Sequence, residues 1–398
     1  MTEQMNMPKL RFSEFEGEYI DTALEDLTKK KISYGIVQAG PHIPDGMPYI
    51  KSTNLNKELC LEELERTSDA IAKSYQRSEV APEDIVFSLR GNIGATRIVP
   101  ETIPVANLTQ GTARLSIGEN FSNVYINYCL STRKAYKRVN SVSKGSTFQE
   151  ISLADLRKVK VTHSVDIKEQ QKIASFLSKV DEKITLLTEK KDKLTEYKKG
   201  VMQQLFNGKW KEQDGHLIFI PPTLRFKAAD GSEFPDWEEK KLGDVLTIGN
   251  GRDYKHLSDG DIPVFGTGGY MTSVDGYLYD GETVFIGRKG TINKPYMFNG
   301  KFWTVDTLFY TKDFKDILPK FVYAIFQKVN WSLYNEATGV PSLSKSTINK
   351  IRLNVPSLSE QEKITEFISS LDQKIDLVNE ELEKAKEWKK GLLQQMFV

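Results

Sequence analysis

The sequence has few of the residues that build disulfide frameworks and metal centres. Its 398 residues include only two cysteines, Cys60 and Cys129, which lie far apart and outside any CxxC motif. This count is typical of a reducing compartment and provides no framework for structural zinc. The four histidines are scattered, and no HExxH motif occurs. The sequence therefore excludes a disulfide-rich scaffold and predicts no cysteine- or histidine-based metal site.

Long apolar runs are also absent. No run approaches the ~18 residues of a membrane-spanning helix, and the opening MTEQMNMPKLRF lacks the apolar core of a signal peptide. We therefore expect a cytoplasmic protein without a membrane partner. The 55 basic and 54 acidic side chains give a net charge of +1, which neither indicates nor excludes a nucleic-acid partner.

Motifs for nucleotide chemistry are missing as well. No GxxxxGK[ST] phosphate loop and no NPPY or NPPF tetrapeptide of amino-methyltransferases occurs. The glycine-rich run VFGTGGY at 264–270 lacks a following helical pattern and is interpreted as a tight turn. We expect this chain to bind no cofactor and no metal.

An internal repeat organises the chain. Residues 169–206 and 360–397 align without gaps at an offset of 191 and share 19 of 38 residues. Weaker matches precede them: PKLRF (8–12) recurs as PTLRF (222–226), and Tyr19-x4-LeuGluAsp recurs as Trp237-x4-LeuGlyAsp. The sequence therefore predicts two copies of one arrangement. Each copy is a variable segment followed by a helix, and the two helices are closely similar to each other.

Apolar residues in the repeated segment alternate four and three apart, which is the spacing of a coiled-coil seam. We predict that the two helices pack on each other, antiparallel; a surface helix packed on its own domain is the alternative. The predicted seam consists of Ile173, Leu177, Val180, Ile184, Leu187, Ile364, Ile368, Leu371, Ile375 and Val378.

The variable segments combine short β-rich runs with amphipathic helical stretches, so we predict a mixed α/β (α+β) fold. DIVFSL (84–89) and ETVFIG (282–287) are typical strands that end at glycine-containing turns. VYINYCLSTRKAYKRV (124–139) and KFVYAIFQKVNWSLY (320–334) are typical helices on a small sheet. The order of the strands does not follow from these patterns.

Each half carries one basic region that is interleaved with amides, hydroxyls and aromatic rings. No acidic residue lies between Glu119 and Glu150 or between Glu282 and Asp306. This mixture suits contact with phosphates and base edges, although a solvated charged face is the alternative. The DNA-binding candidates are Arg90, Asn92, Arg133, Lys134, Lys137, Lys144, Ser146, Thr147, Arg288, Lys289, Thr291 and Lys294.

Arg90 and Arg288 are the strongest of these candidates. VFSLRGNI (86–93) parallels VFIGRKGTI (284–292) if one residue is inserted, which places both arginines at matching positions after a strand. We expect contact with guanine or phosphate, and a structural salt bridge at the strand end is the alternative. Asp236, Asp253 and Lys255 also fit a loose metal-nuclease pattern, which is too degenerate to carry weight.

The repeated EQxKIxxFLxxxDxKI…KKGxxQQxF helix, following each of two variable segments, resembles the specificity subunit of type I restriction-modification enzymes. The resemblance covers essentially the whole chain, from the GlyIleVal and GlyMetProTyrIle phrases at 35–37 and 46–50 onward. It implies two globular target-recognition domains separated by two long antiparallel coiled-coil helices, with pseudo-twofold symmetry. The implied domains are 1–165 and 208–357, and the spacer helices are 166–207 and 358–398.

The resemblance also implies function and partners. The chain would be a non-catalytic subunit that reads a bipartite, asymmetric site in double-stranded DNA. Two modification subunits would carry S-adenosylmethionine and the methyltransferase site, and restriction subunits would supply ATP- and Mg²⁺-dependent translocation and cleavage. The alternatives are a coiled-coil interaction scaffold without DNA readout and, with less support, a metal-dependent nuclease.

Overall fold

The computed structural model describes residues 6–145, 149–213, 216–222 and 224–398. Their contacts group the chain into two compact units. Unit 1 consists of residues 1–188 and 380–398, and unit 2 consists of residues 189–379. None of the helices within these described ranges is long and apolar enough to cross a membrane.

Unit 1 combines short strands with short helices. Its strands are β1 (Ile20–Ala23), β2 (Met47–Ile50), β3 (Glu65–Thr67), β4 (Ile85–Ser88), β5 (Thr96–Ile98), β6 (Asn107–Leu108), β7 (Thr112–Leu115) and β8 (Lys160–His163). Its helices are α1 (Asp69–Ser74), α2 (Asn123–Leu130), α3 (Arg133–Val142) and α4 (Leu153–Lys158). The strands form a β1–β8 pair and two three-stranded sheets, ordered β3-β2-β6 and β5-β4-β7.

Hydroxyl caps explain where the helices of unit 1 begin. The side chain before each helix accepts a hydrogen bond from the third backbone amide of that helix, which satisfies a donor that has no partner within the helix. These caps are Ser68, Ser122, Thr132 and Ser152. The cap at Thr132 divides the stretch predicted as one helix over 124–139 into α2 and α3.

A long helix, α5 (Ile167–Phe206), follows β8. The strands of unit 2 come next, and they are β9 (Lys209–Gln213), β10 (His216–Ile220), β11 (Glu238–Lys241), β12 (Thr247–Asn250), β13 (Asp259–Gly266), β14 (Gly269–Val274), β15 (Tyr279–Gly287), β16 (Tyr296–Thr304), β17 (Leu308–Lys312) and β18 (Arg352–Val355). Its helices are α6 (Leu242–Val245), α7 (Pro319–Lys328) and α8 (Lys345–Asn349), and α9 (Leu358–Met396) is the second long helix. The stretch predicted as a helix over 320–334 is α7 followed by a separate 3-10 turn, Trp331–Tyr334.

The strand pairings of unit 2 reproduce those of unit 1. The β11–β18 pair corresponds to β1–β8, and β15 lies between β16 and β17 as β4 lies between β5 and β7. A parallel pairing also recurs, because β13 runs parallel to β16 as β2 runs parallel to β6. Three strands of unit 2, β13, β15 and β16, are longer than any strand of unit 1, and they belong to one six-stranded sheet, ordered β12-β17-β15-β16-β13-β14.

The two long helices each contribute one part to unit 1 and the other part to unit 2. In unit 2, Lys191 donates to Asn379 at 2.6 Å and Lys198 to Asp372 at 2.5 Å. One residue number falls as its partner's rises, so the helices are antiparallel. Lys389 forms an ion pair with Asp181 in unit 1, and this pair is the repeat equivalent of Lys198 with Asp372. Lys191, Lys198 and Lys389 stand at positions where the seam spacing would place apolar residues, and each makes a contact between the helices.

The ten predicted seam residues face the interior. Eight are buried, and the other two, Ile184 and Ile375, are half-buried and repeat-equivalent. Leu177 packs in the core of unit 1, and Ile368 packs in the core of unit 2. The predicted mixed α/β fold, with an internal repeat and two long antiparallel helices, is confirmed.

A buried ion pair holds the first turn of each long helix. Arg11 donates from Nε and Nη2 to the two carboxylate oxygens of Glu169, at 2.7 and 2.8 Å. Arg225 does the same to Glu360, at 2.9 and 2.7 Å. Both glutamates are completely buried, although each carries a charge. Such burial is tolerated because the guanidinium fork pairs with both oxygens.

A ring donor adds to each site, and in unit 1 the Ser164 hydroxyl also donates to Glu169. The Tyr19 hydroxyl and the Trp237 indole Nε1 each donate to the buried carboxylate at 3.2 Å. Burial, reinforced by the charge of Glu169, raises the pKa of Tyr19, so its hydroxyl stays protonated and continues to donate. Tyr19 and Trp237 differ in the repeat, yet both present one donor on a large apolar ring. We call each set of three residues a glutamate clamp.

The glutamine after each clamp glutamate fixes the adjacent domain helix. Gln170 accepts from the backbone N–H of Ser122 at 2.9 Å, and Gln361 accepts from that of Leu318 at 2.8 Å. Ser122 and Leu318 are the residues that immediately precede α2 and α7. The repeated Glu-Gln pair thus connects three parts of each unit: the segment that leads into β1 or β11, the long helix and the helix on the sheet.

Truncating the seam is expected to destabilise the protein. Leu177→Ala and Ile368→Ala should each lower the free energy of unfolding by about 2–5 kcal/mol, because each change leaves a cavity in a packed core. Leu186 and Leu377, which are 58% and 60% exposed, provide matched controls on the same helices. Their alanine variants should change it by about 0.5 kcal/mol or less. Urea denaturation followed by circular dichroism measures both, and equal losses in the two groups would contradict the seam.

Breaking a clamp is expected to cost more than breaking a surface ion pair. Arg225→Ala leaves Glu360 buried and charged, so the free energy of unfolding should fall by about 3–5 kcal/mol. Arg352→Ala removes a solvent-exposed pair with Glu239 and should cost about 1 kcal/mol or less. Tryptophan fluorescence follows the unfolding of unit 2 in both variants, and a loss below 1 kcal/mol for Arg225→Ala would rule out a stabilising clamp.

Candidate nucleic-acid interface

In unit 2, the strongest basic candidates lie on the loop that leaves β15. The backbone amides of Arg288 and Lys289 both donate to the carbonyl oxygen of Thr307, at 2.8 and 3.2 Å. Gly290 follows at a φ of 89°, a left-handed conformation that favours glycine. Its N–H donates to the carbonyl oxygen of Pro341 at 2.8 Å. We call Lys289-Gly290-Thr291 the basic turn of unit 2.

Unit 1 has the same turn after β4. Arg90 precedes Gly91, whose φ is 72°, and Asn92 follows. Arg90 pairs with Glu150 through one backbone bridge, as Lys289 pairs with Ser342 in unit 2. The Asn92 side chain donates to the Asn56 side chain at 3.1 Å. Arg90-Gly91-Asn92 is the basic turn of unit 1.

These pairings correct the alignment that matches Arg90 with Arg288. The amide of Leu89 donates to the Gly111 carbonyl just before β7, and the amide of Arg288 donates to the Thr307 carbonyl just before β17. Leu89 is therefore the equivalent of Arg288, and Arg90 is the equivalent of Lys289. No residue is inserted: 85–93 aligns with 284–292 directly. The expectation that the two arginines share a position is wrong by one residue. Matching the VF dipeptide at 86–87 with the one at 284–285 shifts the two strands by one residue relative to their pairing in the sheets.

The basic side chains at and near the two turns differ in whether they form ion pairs. Arg90 forms an ion pair with Glu150 at 2.7 Å, and Lys144 lies 3.9 Å from Asp155. In unit 2, the exposed side chains of Arg288, Lys289 and Lys294 form no ion pair with any described residue. Arg288 instead donates to the Asp306 carbonyl at 3.1 Å and contacts the ring of Phe309. The loop after β15 therefore presents three cations to solvent that have no ion-pair partner among the described residues.

The remaining basic candidates of unit 1 lie on α3, apart from the basic turn. Arg133 and Lys134 line a groove of about 990 Å³ together with the end of α9. Burial, and next the charge of Arg138, lowers the pKa of Lys134, as expected where cations are crowded together. Lys137 is exposed on the same helix. The residues lining the groove are Ser131, Thr132, Arg133, Lys134, Tyr136, Lys386, Lys389, Lys390, Leu393, Gln394, Phe397 and Val398.

The lysines of α9 are a contribution that sequence reasoning missed. Lys386, Lys389 and Lys390 lie more than 240 positions after α3, and their helix was interpreted only as a spacer. No acidic side chain is among the described residues that line the groove. The KK pair in the repeated KKG phrase was the available signal, but its location beside α3 depends on the antiparallel helix pairing.

The remaining predicted residues are the DNA-binding candidates Ser146 and Thr147 and the nuclease pattern of Asp236, Asp253 and Lys255. Ser146 and Thr147 lie outside the described residues. The nuclease pattern gains no support from the geometry, since Asp253 accepts a hydrogen bond from the backbone N–H of Lys255, a local turn contact. Within the described ranges, no group of three or more His, Cys, Asp or Glu side chains is arranged to hold a metal ion.

Each unit thus places a cation and a short polar side chain on a left-handed turn at the end of a buried strand. A cation at such a position can contact a phosphate, and an amide or hydroxyl beside it can reach a base edge. The strand and its core hold the turn rigidly, which is the arrangement that recognition loops require.

Comparison with known proteins identifies the family. The model of the type I restriction modification DNA specificity domain matches this chain twice, over residues 22–196 and 235–387. The EcoBI specificity subunit of Escherichia coli is 35% identical over 102 residues, which are 25% of this chain and 21% of that protein. The MjaVIII specificity subunit of Methanocaldococcus jannaschii is 25% identical over 193 residues, 43% and 44% of the two chains. The aligned regions thus span less than half the length of these curated relatives.

Solved structures show the same fold. The S subunit of a type I restriction-modification system from M. genitalium superposes with a TM-score of 0.66 and 17% identity, over 98% of this chain and 99% of that one. A chain from a study of complex assembly and conformational transition in the type I R-M system gives a TM-score of 0.54 and 11% identity, over 95% and 97%. The two family matches cover most of the sequence and agree with the internal repeat, so the chain belongs to the family of type I restriction modification DNA specificity domains.

Proposed function

We propose that this chain is the DNA sequence-specificity subunit of a type I restriction-modification complex, and that it reads a bipartite, asymmetric site without catalysing a reaction itself. One observation carries the proposal: the same basic turn recurs on the same strand frame in both units, with different side chains around it. A shared frame supports two readers, and different side chains support two different half-sites.

The turns supply the two kinds of contact that sequence recognition needs. Arg288, Lys289 and Lys294 are free to neutralise phosphates, which fix a protein's register on DNA. Asn92 and Thr291 occupy equivalent positions beside the turn glycines. Asparagine prefers adenine as a bidentate partner, whereas threonine bonds to several bases, so the two units would differ in preference. Each correctly read pair contributes about 1–3 kcal/mol of discrimination.

In this proposal the functional division is that implied by the family: recognition segments 1–165 and 208–357, with spacer helices 166–207 and 358–398. The basic groove of α3 and α9 would add phosphate contacts through Arg133 and Lys390, neither of which forms an ion pair with a described residue. Cofactor chemistry would belong to partners: S-adenosylmethionine in the modification subunits, and ATP with Mg²⁺ in the restriction subunits.

The repeat also supports two copies of one modification subunit. Exposed apolar residues on the long helices recur at the offset of 191, since Leu186 matches Leu377 and Tyr197 matches Trp388. The recurrence of these exposed apolar side chains at equivalent positions supports one kind of contact made twice. A surface that occurs twice in one chain can bind two copies of the same partner in the same way. Trp388 also contacts Phe176 edge-on at 5.9 Å, which fixes its ring.

The proposal is tested by replacing residues 208–357 with the matching segment of a related subunit. We expect the assembled methyltransferase to keep one half of its target and to change the other, because each unit has its own core and its own basic turn. Sequencing of methylated DNA from cells carrying either complex reads out both halves. The wild-type complex is the control. Loss of both half-specificities in an assembled complex, or methylation without sequence preference, would favour a scaffold and contradict the proposal.

The long helices are proposed to set the gap between the half-sites. In the antiparallel pairing, residue numbers in contact add up to a constant: 191 with 379, 198 with 372, and 181 with 389. A heptad inserted after Lys190 together with a heptad inserted after Asn379 therefore preserves every one of these pairs. The double insertion lengthens the helix pair by ~10 Å at 1.5 Å per residue.

The double insertion should widen the gap by up to ~3 base pairs, at ~3.4 Å each, and leave both half-sites unchanged. Rotation of the DNA changes the groove that the displaced unit meets, so an increase of less than three is also consistent. The single insertion after Lys190 is the matched control, because it misaligns the pairs and should impair assembly or methylation. Sequencing of methylated sites reports the gap. An unchanged gap in an active double variant would show that the helices do not set the distance.

A further inference from the structure

The turn between β13 and β14 in unit 2 presents large apolar side chains to solvent. Tyr270 is 64% exposed and Met271 is 51% exposed. The preceding Gly268 and Gly269 have open space around them, and Gly269 adopts a φ of 105° that favours glycine. We call residues 267–271 the apolar tip.

The apolar tip is anchored to the core. The ring of Phe265 lies 6.5 Å from that of Tyr270 in an edge-on contact and 5.2 Å from that of the buried Phe285. The Tyr296 hydroxyl donates to the carbonyl oxygen of Gly266 at 3.1 Å. The position of the exposed ring is therefore set by the sheet, so its exposure is not that of a loose loop.

Exposure at this place is costly for the folded protein. β14 is the last strand of its sheet and pairs with β13 alone among the described strands. An edge strand with apolar side chains is prone to unwanted pairing, and proteins usually protect such edges with charge or proline. The apolar side chains of the tip are therefore expected to contact a partner molecule.

The neighbours of the apolar tip indicate what that partner is. The hydroxyl of Thr267 lies beside Gly290 of the basic turn, 3.9 Å from where a Cβ on that glycine would stand. The tip is thus adjacent to the loop that carries Arg288, Lys289 and Lys294, whose charges have no partner among the described residues. A flat ring and a thioether beside uncompensated cations complement a base stack beside phosphates.

Unit 1 differs at the same place, which makes the contrast informative. Its β2 and β3 are joined by the long segment 51–64 in place of a tight turn, and Asn56 from that segment contacts Asn92 of the basic turn. The segment next to the basic turn therefore contributes an amide in unit 1, whereas in unit 2 it contributes Thr267 and the exposed ring and thioether that follow it in the apolar tip. Amides read bases by hydrogen bonds, whereas rings read them by stacking.

We propose that Tyr270 and Met271 form a wedge that stacks against bases of the half-site read by unit 2, while Arg288, Lys289 and Lys294 hold the adjacent phosphates. This inference rests on the proposed function. Unit 2 then discriminates partly through the ease with which a base step opens, and pyrimidine–purine steps open most readily. Unit 1 discriminates through hydrogen bonds. The asymmetry of the bipartite site follows from this difference in chemistry.

The test uses the full chain in complex with its methyltransferase subunits and a duplex that carries the methylated site found by sequencing. Tyr270→Ala should weaken binding about 5- to 150-fold, the range expected for loss of one stacked base, and Tyr270→Phe should bind as the wild type does. Tyr277→Ala is the control, because Tyr277 is similarly exposed but contacts Lys301 away from the tip. The fluorescence of a 2-aminopurine placed in the half-site of unit 2 should change in the same way on binding of the wild type, Tyr270→Phe and Tyr277→Ala, and should lack this change with Tyr270→Ala.

A duplex with a scrambled unit 2 half-site separates the possible failures. The wild type should bind it weakly, and Tyr270→Ala should cause no further loss. If the wild type shows no preference between the two duplexes, the proposed function is wrong. If the wild type prefers its site and Tyr270→Ala binds it equally well, only the wedge is wrong. A variant that loses its methyltransferase subunits, with DNA affinity otherwise unchanged, would identify the tip as a protein contact and overturn the wedge.

Discussion

The glutamate clamp is the interaction on which the rest of the structure depends. A charged carboxylate with no solvent exposure is tolerated only when its lone pairs are satisfied, and each clamp satisfies Glu169 or Glu360 with a bidentate arginine and a ring donor. The carboxylate also lies in the first turn of a long helix, where the helix dipole stabilises negative charge. Because the arginine belongs to the segment that leads into β1 or β11, the clamp ties that segment of each unit to the start of a long helix.

The internal repeat provides this arrangement once in each half of the chain. The loops of one half can therefore change in sequence without changing those of the other half. Core strand β4 is buried along its whole length and β15 is buried over its last five residues, whereas the turns that follow them are exposed or half-buried. A rigid strand frame tolerates different side chains on the loops it supports. Asn92 and Thr291 occupy one position of this frame, and their chemistry differs.

Charge distribution distinguishes the two units more than fold does. Unit 1 pairs the cation of its basic turn with Glu150 and collects further cations in a groove beside α3. In unit 2, Arg288, Lys289 and Lys294 form no ion pair with a described residue, and an apolar tip lies beside the loop that carries them. A net charge of +1 conceals this contrast, because acidic residues elsewhere balance the basic regions. Partner recognition is therefore decided locally, at the level of a few side chains.

The sequence alone predicted what depends on short-range periodicity: the two long helices, their seam, the internal repeat and the mixed α/β character of the variable segments. These features follow from side-chain spacing along one segment, which the order of residues states directly. The sequence showed that Tyr19 and Trp237 occupy equivalent positions. Their shared role, donation of a hydrogen bond to a buried glutamate, became visible only in the structure. Tertiary structure decided the strand order, the one-residue correction that pairs Arg90 with Lys289, and the assembly of the α3 groove with lysines of α9. Each of these depends on contacts between residues far apart in the chain, whose register is selected by the packing of whole strands and helices and leaves no periodic trace in the sequence.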